Sequence, residues 1–327
     1  MAQPGSGIPF GHGGRTETRG RAKTLTETAR PLLKWAGGKR QLLPALRTFY
    51  PASFRRYWEP FVGSGAVFFD LDARGRLAGH DVTLSDNNPD LIACYRAVVE
   101  CPEQVIGELT RLATGHERDG TAHYYAVRNE RFNPRRATAR TASGSDLTYD
   151  AALAAMFIYL NRTGYNGLFR LNSEGEFNVP AGRYANPRIC DAVNLRRVAM
   201  ALSRPGVTLD RSRFDRVIDS AQPEDFLYFD PPYAPLSKTA NFTSYTAERF
   251  DAAAQLRLRD VIVTLARRGC HVVLSNSTSP EISALYEDNK EVKSAGLRCH
   301  RIPARRAINS NAKKRGVVEE YVISNVR

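Results

Sequence analysis

Residues 59–71 read EPFVGSGAVFFDL, a short strand that runs into Gly63 and Gly65 before a helix opens at about Ala66. Glycine at the carboxyl end of a strand lets backbone approach a ligand closely, because no Cβ stands in the way. The next strand ends in VTL and stops at Asp86, 23 residues after Gly63. A carboxylate there is suited to accept hydrogen bonds from ribose hydroxyls. A plain tight turn followed by an acidic residue has the same letters. The third position after Gly65 is Phe68, so the spacing departs from Gly-x-Gly-x-x-Gly. That disfavours a pyrophosphate-bearing dinucleotide, and with it a nicotinamide-dependent dehydrogenase. It leaves a nucleoside without phosphates, for which S-adenosylmethionine is the candidate.

Outward from this segment, short β-branched or aromatic runs alternate with longer helical ones. Strands are expected at 57–60, 81–85, 206–209, 226–229, 271–275 and 317–323. Between the fourth and fifth, Ala254, Leu258, Val261 and Leu265 recur at steps of four, three and four, enough for one buried helical stripe. Strand, helix and strand in succession imply an α/β fold: a largely parallel, Rossmann-like sheet with helices on both faces. Residues 105–200 break the rhythm and are expected to form a smaller, mostly helical insertion with a β-hairpin at about 162–184. The chain then divides into a flexible Gly-, Thr- and Arg-rich tail over 1–30, a first catalytic part over 31–100, the insertion over 101–200, and a second catalytic part over 201–327. A low-order stretch at 134–146, PRRATARTASGSD, reads as a surface loop or linker.

The 327 residues carry 47 Lys+Arg against 34 Asp+Glu, a net charge of +13, and 39 of the 47 are arginine. Such an excess points to a polyanionic partner, and the planar arginine fork suits phosphates and guanine edges. Nucleic acid therefore leads over membrane. The tail holds +3 of the charge, leaving +10 on the rest. An apolar fraction of 42% with 25% charged residues excludes a mainly disordered chain. Cys94, Cys101, Cys190, Cys270 and Cys299 show no Cys-x-x-Cys pair, which fits a reduced cytosolic compartment and argues against zinc. No apolar run approaches the roughly 20 residues that span a bilayer. A cytoplasmic monomer without membrane or metal is expected.

The sharpest motif is Asp230-Pro231-Pro232-Tyr233, directly after the apolar run FLYF. A carboxylate at the end of a buried strand is costly unless a partner meets it there. The prolines fix the backbone, so the Asp230 carboxylate and the Pro231 carbonyl stand as two adjacent acceptors. Two acceptors suit the two hydrogens of an exocyclic amino group, and Tyr233 supplies a face for a base. An adenine amino group is a poor nucleophile until both N–H bonds are held. Positioned against a sulfonium methyl it can attack in line, with neither a covalent enzyme intermediate nor a metal. As a bare tetrapeptide the motif also reads as a turn.

Residues 31–325 resemble the Dam family of DNA adenine-N6 methyltransferases nearly end to end, with the motifs in the same order. PLLKWAGGKRQLLP resembles the family's N-terminal cofactor motif, EPFVGSG its glycine loop, and LSDNNPDLIACY its ribose-binding segment. YLNRTGYNGLFRLNSEGEFNVPAGRY is similar to its target-recognition hairpin and DPPYAPLSKTANFTSY to its catalytic loop. The resemblance implies S-adenosylmethionine as cofactor, held by Trp35, Gly37, Lys39, Glu59, Gly63, Gly65, Asp86, Phe229 and Asp230, with Asp230, Pro231, Pro232 and Tyr233 catalytic. It implies double-stranded DNA as partner. Arg170 corresponds to a guanine-reading arginine, Tyr165 to a wedge that supports extrusion of the target adenine, and Asn166, Leu168 and Pro180 to further base contacts.

Within the recognition segment, Arg162, Arg170 and Arg183 are interleaved with Tyr165, Phe169, Phe177 and Tyr184, cations for phosphates and rings for stacking. A basic run at 301–315, RIPARRAINSNAKKR, reads either as a clamp on the DNA backbone or as a solvated loop. The function expected is methylation of adenine N6, with GATC the leading site. Two alternatives stand beside it: cytosine-N4 methylation by the same motif, and a catalytically silent relative that only binds DNA.

Overall fold

Phe226–Phe229 is buried along its whole length, and its alternate side chains part to the two faces of a sheet. Phe226 and Tyr228 join one apolar cluster, Leu227 and Phe229 the other. A strand covered on both sides loses the polar alternation of a half-exposed one, which is why FLYF reads as a continuous apolar run. The computed structural model describes residues 28–35, 37–139, 146–233, 250–305 and 317–326. Its strands are β1 (Tyr57–Glu59), β2 (Val82–Asp86), β3 (Val207–Arg211), β4 (Phe226–Phe229), β5 (His271–Ser277), β6 (Arg298–Arg305) and β7 (Val317–Ser324).

They form one sheet in the order β3-β2-β1-β4-β5-β7-β6. The first five run parallel, and β7 lies antiparallel between β5 and β6. From β1 the chain moves outward to β2 and β3 on one side, then returns to place β4 and β5 on the other. Neighbouring β1 and β4 therefore make the switch point, where the connections diverge and leave a crevice beyond the carboxyl ends of the strands. Both the glycine loop and the Asp230 motif leave the sheet there.

Helix Ala252–Arg267 covers one face and buries the expected stripe of Ala254, Leu258, Val261 and Leu265. Asp251 caps it, its side chain accepting from the Ala254 N–H at 2.8 Å. On the other face lie helices Ala66–Ala73, Pro89–Glu100, Pro102–Ala126, Ala151–Thr163 and Ala192–Leu202. Leu109, Tyr124, Phe157 and Leu195 of this helical region share a single cluster with Tyr57, Leu84 and Tyr228 of the sheet. Among the described residues, no helix is long and apolar enough to cross a membrane.

Each strand read from the sequence is present, with ends shifted by at most two residues. Strand β6 is an addition. Its letters, RCHRIPAR, hold no apolar run, because it is an edge strand that carries arginines and a proline, features that discourage further pairing. The run expected at 301–315 thus begins inside the sheet, and Arg301 is engaged by Glu287 at 2.9 Å and Glu319 at 3.6 Å. Residues 306–316 lie outside the described ones.

The low-order stretch at 134–146 is corrected in its first part: Asn133–Thr138 is helical. It continues helix Pro102–Ala126 through the π-helical turn Val127–Phe132, so Pro134 sits just past a local change in the hydrogen-bond ladder, and Arg136 reaches the buried carboxylate of Asp90, which Tyr149 also meets. Residues 140–145 lie outside the described ones, as do residues 1–27 of the tail. Arg30, at the tail's end, is docked: its main-chain N–H and carbonyl both bond the Asn194 side chain, at 2.9 and 3.0 Å. The hairpin at 162–184 is a looser structure than expected, pairing only at two bridges, Gly164 with Ala181 and Leu171 with Phe177. Between them the chain turns through Asn166 (φ 54°) and Gly167 (φ 64°), left-handed conformations that interrupt a ladder.

Candidate active site

Beyond β1 the chain turns at Gly63 (φ 45°) and Gly65 (φ 67°) into helix Ala66–Ala73. Those angles favour glycine, and at Gly63 space requires it as well: a Cβ would stand 2.9 Å from Trp35 Cδ1. Glu59 fastens the strand end to the helix, its Oε2 accepting from Tyr57 Oη at 2.8 Å and from the Phe68 N–H at 3.0 Å. Burial pushes its carboxyl up to about 8, against the pull of those two donors. Tyr95 Oη donates to the Gly63 carbonyl at 2.8 Å.

Asp86 closes β2 beside this loop. It accepts from the Gly63 N–H at 3.2 Å and the Asn88 N–H at 3.0 Å, and burial raises it to about 6. The Asn87 N–H also favours the charged carboxylate, and since a carboxylate has about four lone-pair sites, acceptor capacity remains for a hydroxyl group.

Asp230 follows β4. Its Oδ1 lies 2.7 Å from Lys39 Nζ, and the lysine side chain is only 3% exposed. The same ammonium donates to the Gly37 carbonyl at 2.7 Å and stands 4.5 Å from the centre of the Tyr233 ring. Burial raises Asp230 to about 6, Lys39 opposes the rise, and the nearby Glu320 charge adds to it. Tyr233 Oη donates to Glu320 Oε2 at 2.6 Å. The Pro232 carbonyl accepts from Gln255 Nε2 at 3.4 Å, and Asn276 Nδ2 donates to Gln255 Oε1 at 3.1 Å. Gly37, Lys39, Asp230 and Tyr233, far apart in sequence, thus meet at one place. Phe229 is fully buried under helix Ala252–Arg267, so only its main chain faces the strand end.

The segment over 162–184 meets this crevice through Trp35, whose ring stacks on Phe169 at 6.3 Å between centres. Asn161 joins the same two pieces of chain. Its Oδ1 accepts from the Lys34 N–H at 2.8 Å, and its Nδ2 donates to the Lys34 and Gly167 carbonyls at 2.7 and 2.9 Å. Of the residues read as DNA contacts, Tyr165, Arg170, Pro180 and Arg183 are exposed, while Asn166 and Leu168 are half-buried. The Pro180 carbonyl accepts from the Tyr165 N–H at 2.9 Å, and Arg170 is steadied by Asn178 Oδ1 at 2.7 Å. Phe169 and Phe177 depart from expectation: they are core, packed on each other at 5.6 Å, and offer no face to a base. Arg162 is half-buried at the end of its helix rather than displayed.

Three contributors went unread in the sequence: Asn161, Gln255 and Glu320. For Asn161 the signal was a polar residue at the end of the apolar run AALAAMFIYL. For Glu320 it was a pair of successive carboxylates in a strand, which places one on each face. Gln255, inside an amphipathic helix, left no signal.

Residues 35–300 match the family described as D12 class N6 adenine-specific DNA methyltransferase. The type II methyltransferase M1.LlaDCHI of Lactococcus lactis subsp. cremoris is 38% identical over 297 residues, covering 90% of this chain and 95% of its own. The type II methyltransferase M.MjaIII of Methanocaldococcus jannaschii is 38% identical over 307 residues, covering 90% and 99%. The DNA adenine methylase of Escherichia coli (strain K12) is 33% identical over 293 residues, covering 90% and 94%. With residues 35–300 matched and relatives 33–38% identical covered nearly end to end, the chain belongs to the N6 adenine-specific DNA methyltransferases of the D12 class.

Proposed function

We propose that the chain transfers the methyl group of S-adenosylmethionine directly to N6 of an adenine extruded from double-stranded DNA, with GATC as its target. The observation that carries this reading is the Asp230 carboxylate at the switch point, paired with the Lys39 ammonium, which also stands over the Tyr233 ring.

The residues fit the cofactor. At Gly63 a Cβ would collide with Trp35, so the glycine lets the Trp35 ring lie close against the loop, where it can offer a face to an adenosyl group. Asp86 beside the loop keeps acceptor capacity for a ribose hydroxyl. Trp35, Gly37 and Gly65, with the end of the strand that carries Glu59 and that of Phe229, complete the assigned surroundings. S-adenosylmethionine, when bound, supplies an electron-poor methyl carbon.

The chain's own groups act on the base. Asp230 and the Pro231 carbonyl accept the two amino hydrogens, turning the nitrogen lone pair out of the ring system and toward the methyl. At neutral pH a carboxyl that titrates near 6 is ionised and able to accept. Tyr233 stacks on the base, and Pro232 fixes the turn. On the DNA side, Tyr165 wedges into the gap, Arg170 reads a guanine edge, and Asn166, Leu168 and Pro180 touch neighbouring bases while Arg183 meets phosphate. Residues around 162–184 serve as the recognition unit. Their similarity to the hairpin of GATC-modifying relatives supports that target.

The test is digestion of a GATC-containing plasmid, after incubation with the protein and S-adenosylmethionine, by a nuclease that methylated GATC blocks. Protected sites are expected. Cleavage identical to that of untreated plasmid would contradict the target.

A further inference from the structure

Tyr233 is the base-stacking face of the site, and two contacts decide how that face lies. Proline on its amino side fixes the main chain leading to it, but the torsion that turns an aromatic ring is broad and roughly two-fold. One contact is the Lys39 ammonium, 4.5 Å from the ring centre. Lys39 is itself drawn to Asp230 and to the Gly37 carbonyl, so it does not set the ring independently of the carboxylate. The other is the hydroxyl bond to Glu320 Oε2 at 2.6 Å. Burial, followed by the negative charges of Asp230 and Glu320, pushes the phenol's pKa well up, so the hydroxyl remains a donor.

Glu320 comes from a different part of the sheet. It lies in β7, paired with Ser277 at the carboxyl end of β5 and with Ile302 of β6. Its neighbour Glu319 points the other way, toward Arg301. The tether therefore runs from the paired framework of three strands to the ring beside the reacting amino group.

We propose that Glu320 is a positioning residue for methyl transfer: by holding the Tyr233 hydroxyl it sets the tilt of the ring on which the extruded adenine stacks, and so the line from the amino nitrogen to the methyl. This rests on the reading of the site as an adenine pocket. A tilt of the stacking face moves the nitrogen relative to Asp230 and the Pro231 carbonyl without removing either acceptor. The loss therefore falls on turnover rather than on affinity.

The test compares Glu320→Ala, Glu320→Gln, Tyr233→Phe and the double variant Glu320→Ala/Tyr233→Phe with the unaltered protein, on one adenine-containing duplex and on its copy with 2-aminopurine at the target. Glu320→Ala is expected to lower kcat roughly 10- to 100-fold, the range of a small misplacement, with the KM values for DNA and S-adenosylmethionine within about three-fold. Its bound 2-aminopurine should be brighter, because a tilted ring quenches less. Glu320→Gln keeps an acceptor oxygen in place and should hold kcat within about three-fold of the unaltered protein. Tyr233→Phe removes the other end of the bond, so it should match Glu320→Ala, and the double variant should be no slower than either single one. Should Glu320→Ala fold poorly, the Tyr233→Phe and Glu320→Gln pair decides. Full turnover in Glu320→Ala or in Tyr233→Phe, a Gln variant as slow as the Ala one, or losses that multiply in the double variant would each overturn the assignment. Absence of adenine methylation by the unaltered protein would instead overturn the functional reading beneath it.

Discussion

The crevice at the end of β1 and β4 and the recognition segment over 162–184 are built on opposite principles. In the crevice each ionisable side chain already has a partner: Asp230 has Lys39, Asp86 has main-chain N–H groups, and Glu59 has Tyr57 and Phe68. The recognition segment pairs with itself at only two bridges and leaves Tyr165, Arg170, Pro180 and Arg183 exposed. Chemistry that depends on where two hydrogens are held needs a site whose dipoles are fixed before the substrate arrives. Reading DNA needs side chains that stay solvated until bases and phosphates replace the water. Trp35 on Phe169, with Asn161 alongside, ties the segment around Trp35 to residues 162–184 at their buried roots.

The sharpest way to break this contrast is Asp230→Ala. Loss of a charged acceptor at the reacting atom should lower single-turnover methyl transfer on the order of 10³-fold or more, while DNA affinity in a fluorescence titration stays within about three-fold, since the recognition side chains are untouched. Parallel loss of both would show that the regions are not separable.

Lys39→Met comes next. It leaves the Asp230 carboxylate without its counter-ion, so the carboxyl should move above its present value of about 6, by roughly one unit or more. A carboxyl accepts only when ionised. The acidic limb of the rate profile, expected near pH 6 for the unaltered protein, should therefore shift upward, and a profile that does not move would contradict the pairing.

Arg170→Ala probes the other region. Removing the bidentate guanine contact proposed for this side chain should relax discrimination at one base pair by about 1–3 kcal/mol, read as the ratio of kcat/KM between matched and altered duplexes. S-adenosylmethionine affinity should be unchanged. A uniform loss on all sequences would reassign the side chain to phosphate.

The smallest expected effect concerns stability. Burial lets the folded protein keep the Glu59 proton up to about pH 8, whereas a free glutamate loses it near 4.5. The folded state thus binds the extra proton between those values, and stability should decline as pH rises through that window. Glu59→Gln retains an acceptor for Tyr57 and Phe68 without the ionisation, so its thermal midpoint should fall less across the same range. Equal slopes would contradict the burial argument.

The same contrast governs what could be read from the letters alone. Crevice residues are chosen by local rules, glycine where φ is positive and a carboxylate where a strand ends, so Gly63, Gly65, Asp86 and Asp230 were legible. Their partners were not, because Lys39 to Asp230 and Tyr233 to Glu320 are contacts between distant stretches that no local period encodes. In the recognition segment the letters gave the residue types but not which way they face. Phe169 and Phe177 alternate with arginines as exposed stacking rings would, yet they fill the core because Trp35 and Phe157 pack against Phe169. Strand β6 was hidden by the edge chemistry that keeps it from pairing further, and the Asn133–Thr138 turn by a proline that reads as a breaker although the helix before it runs on through a π-helical turn.

The central claim is that Asp230 and the Pro231 carbonyl clasp an adenine amino group. Its most direct test is the methylated nucleoside itself: duplex DNA treated with the protein and isotope-labelled S-adenosylmethionine, hydrolysed completely and separated by mass. The account predicts the label in N6-methyladenine from the unaltered protein and none from Asp230→Ala. Label in N4-methylcytosine, or an equal yield of N6-methyladenine from both proteins, would contradict it.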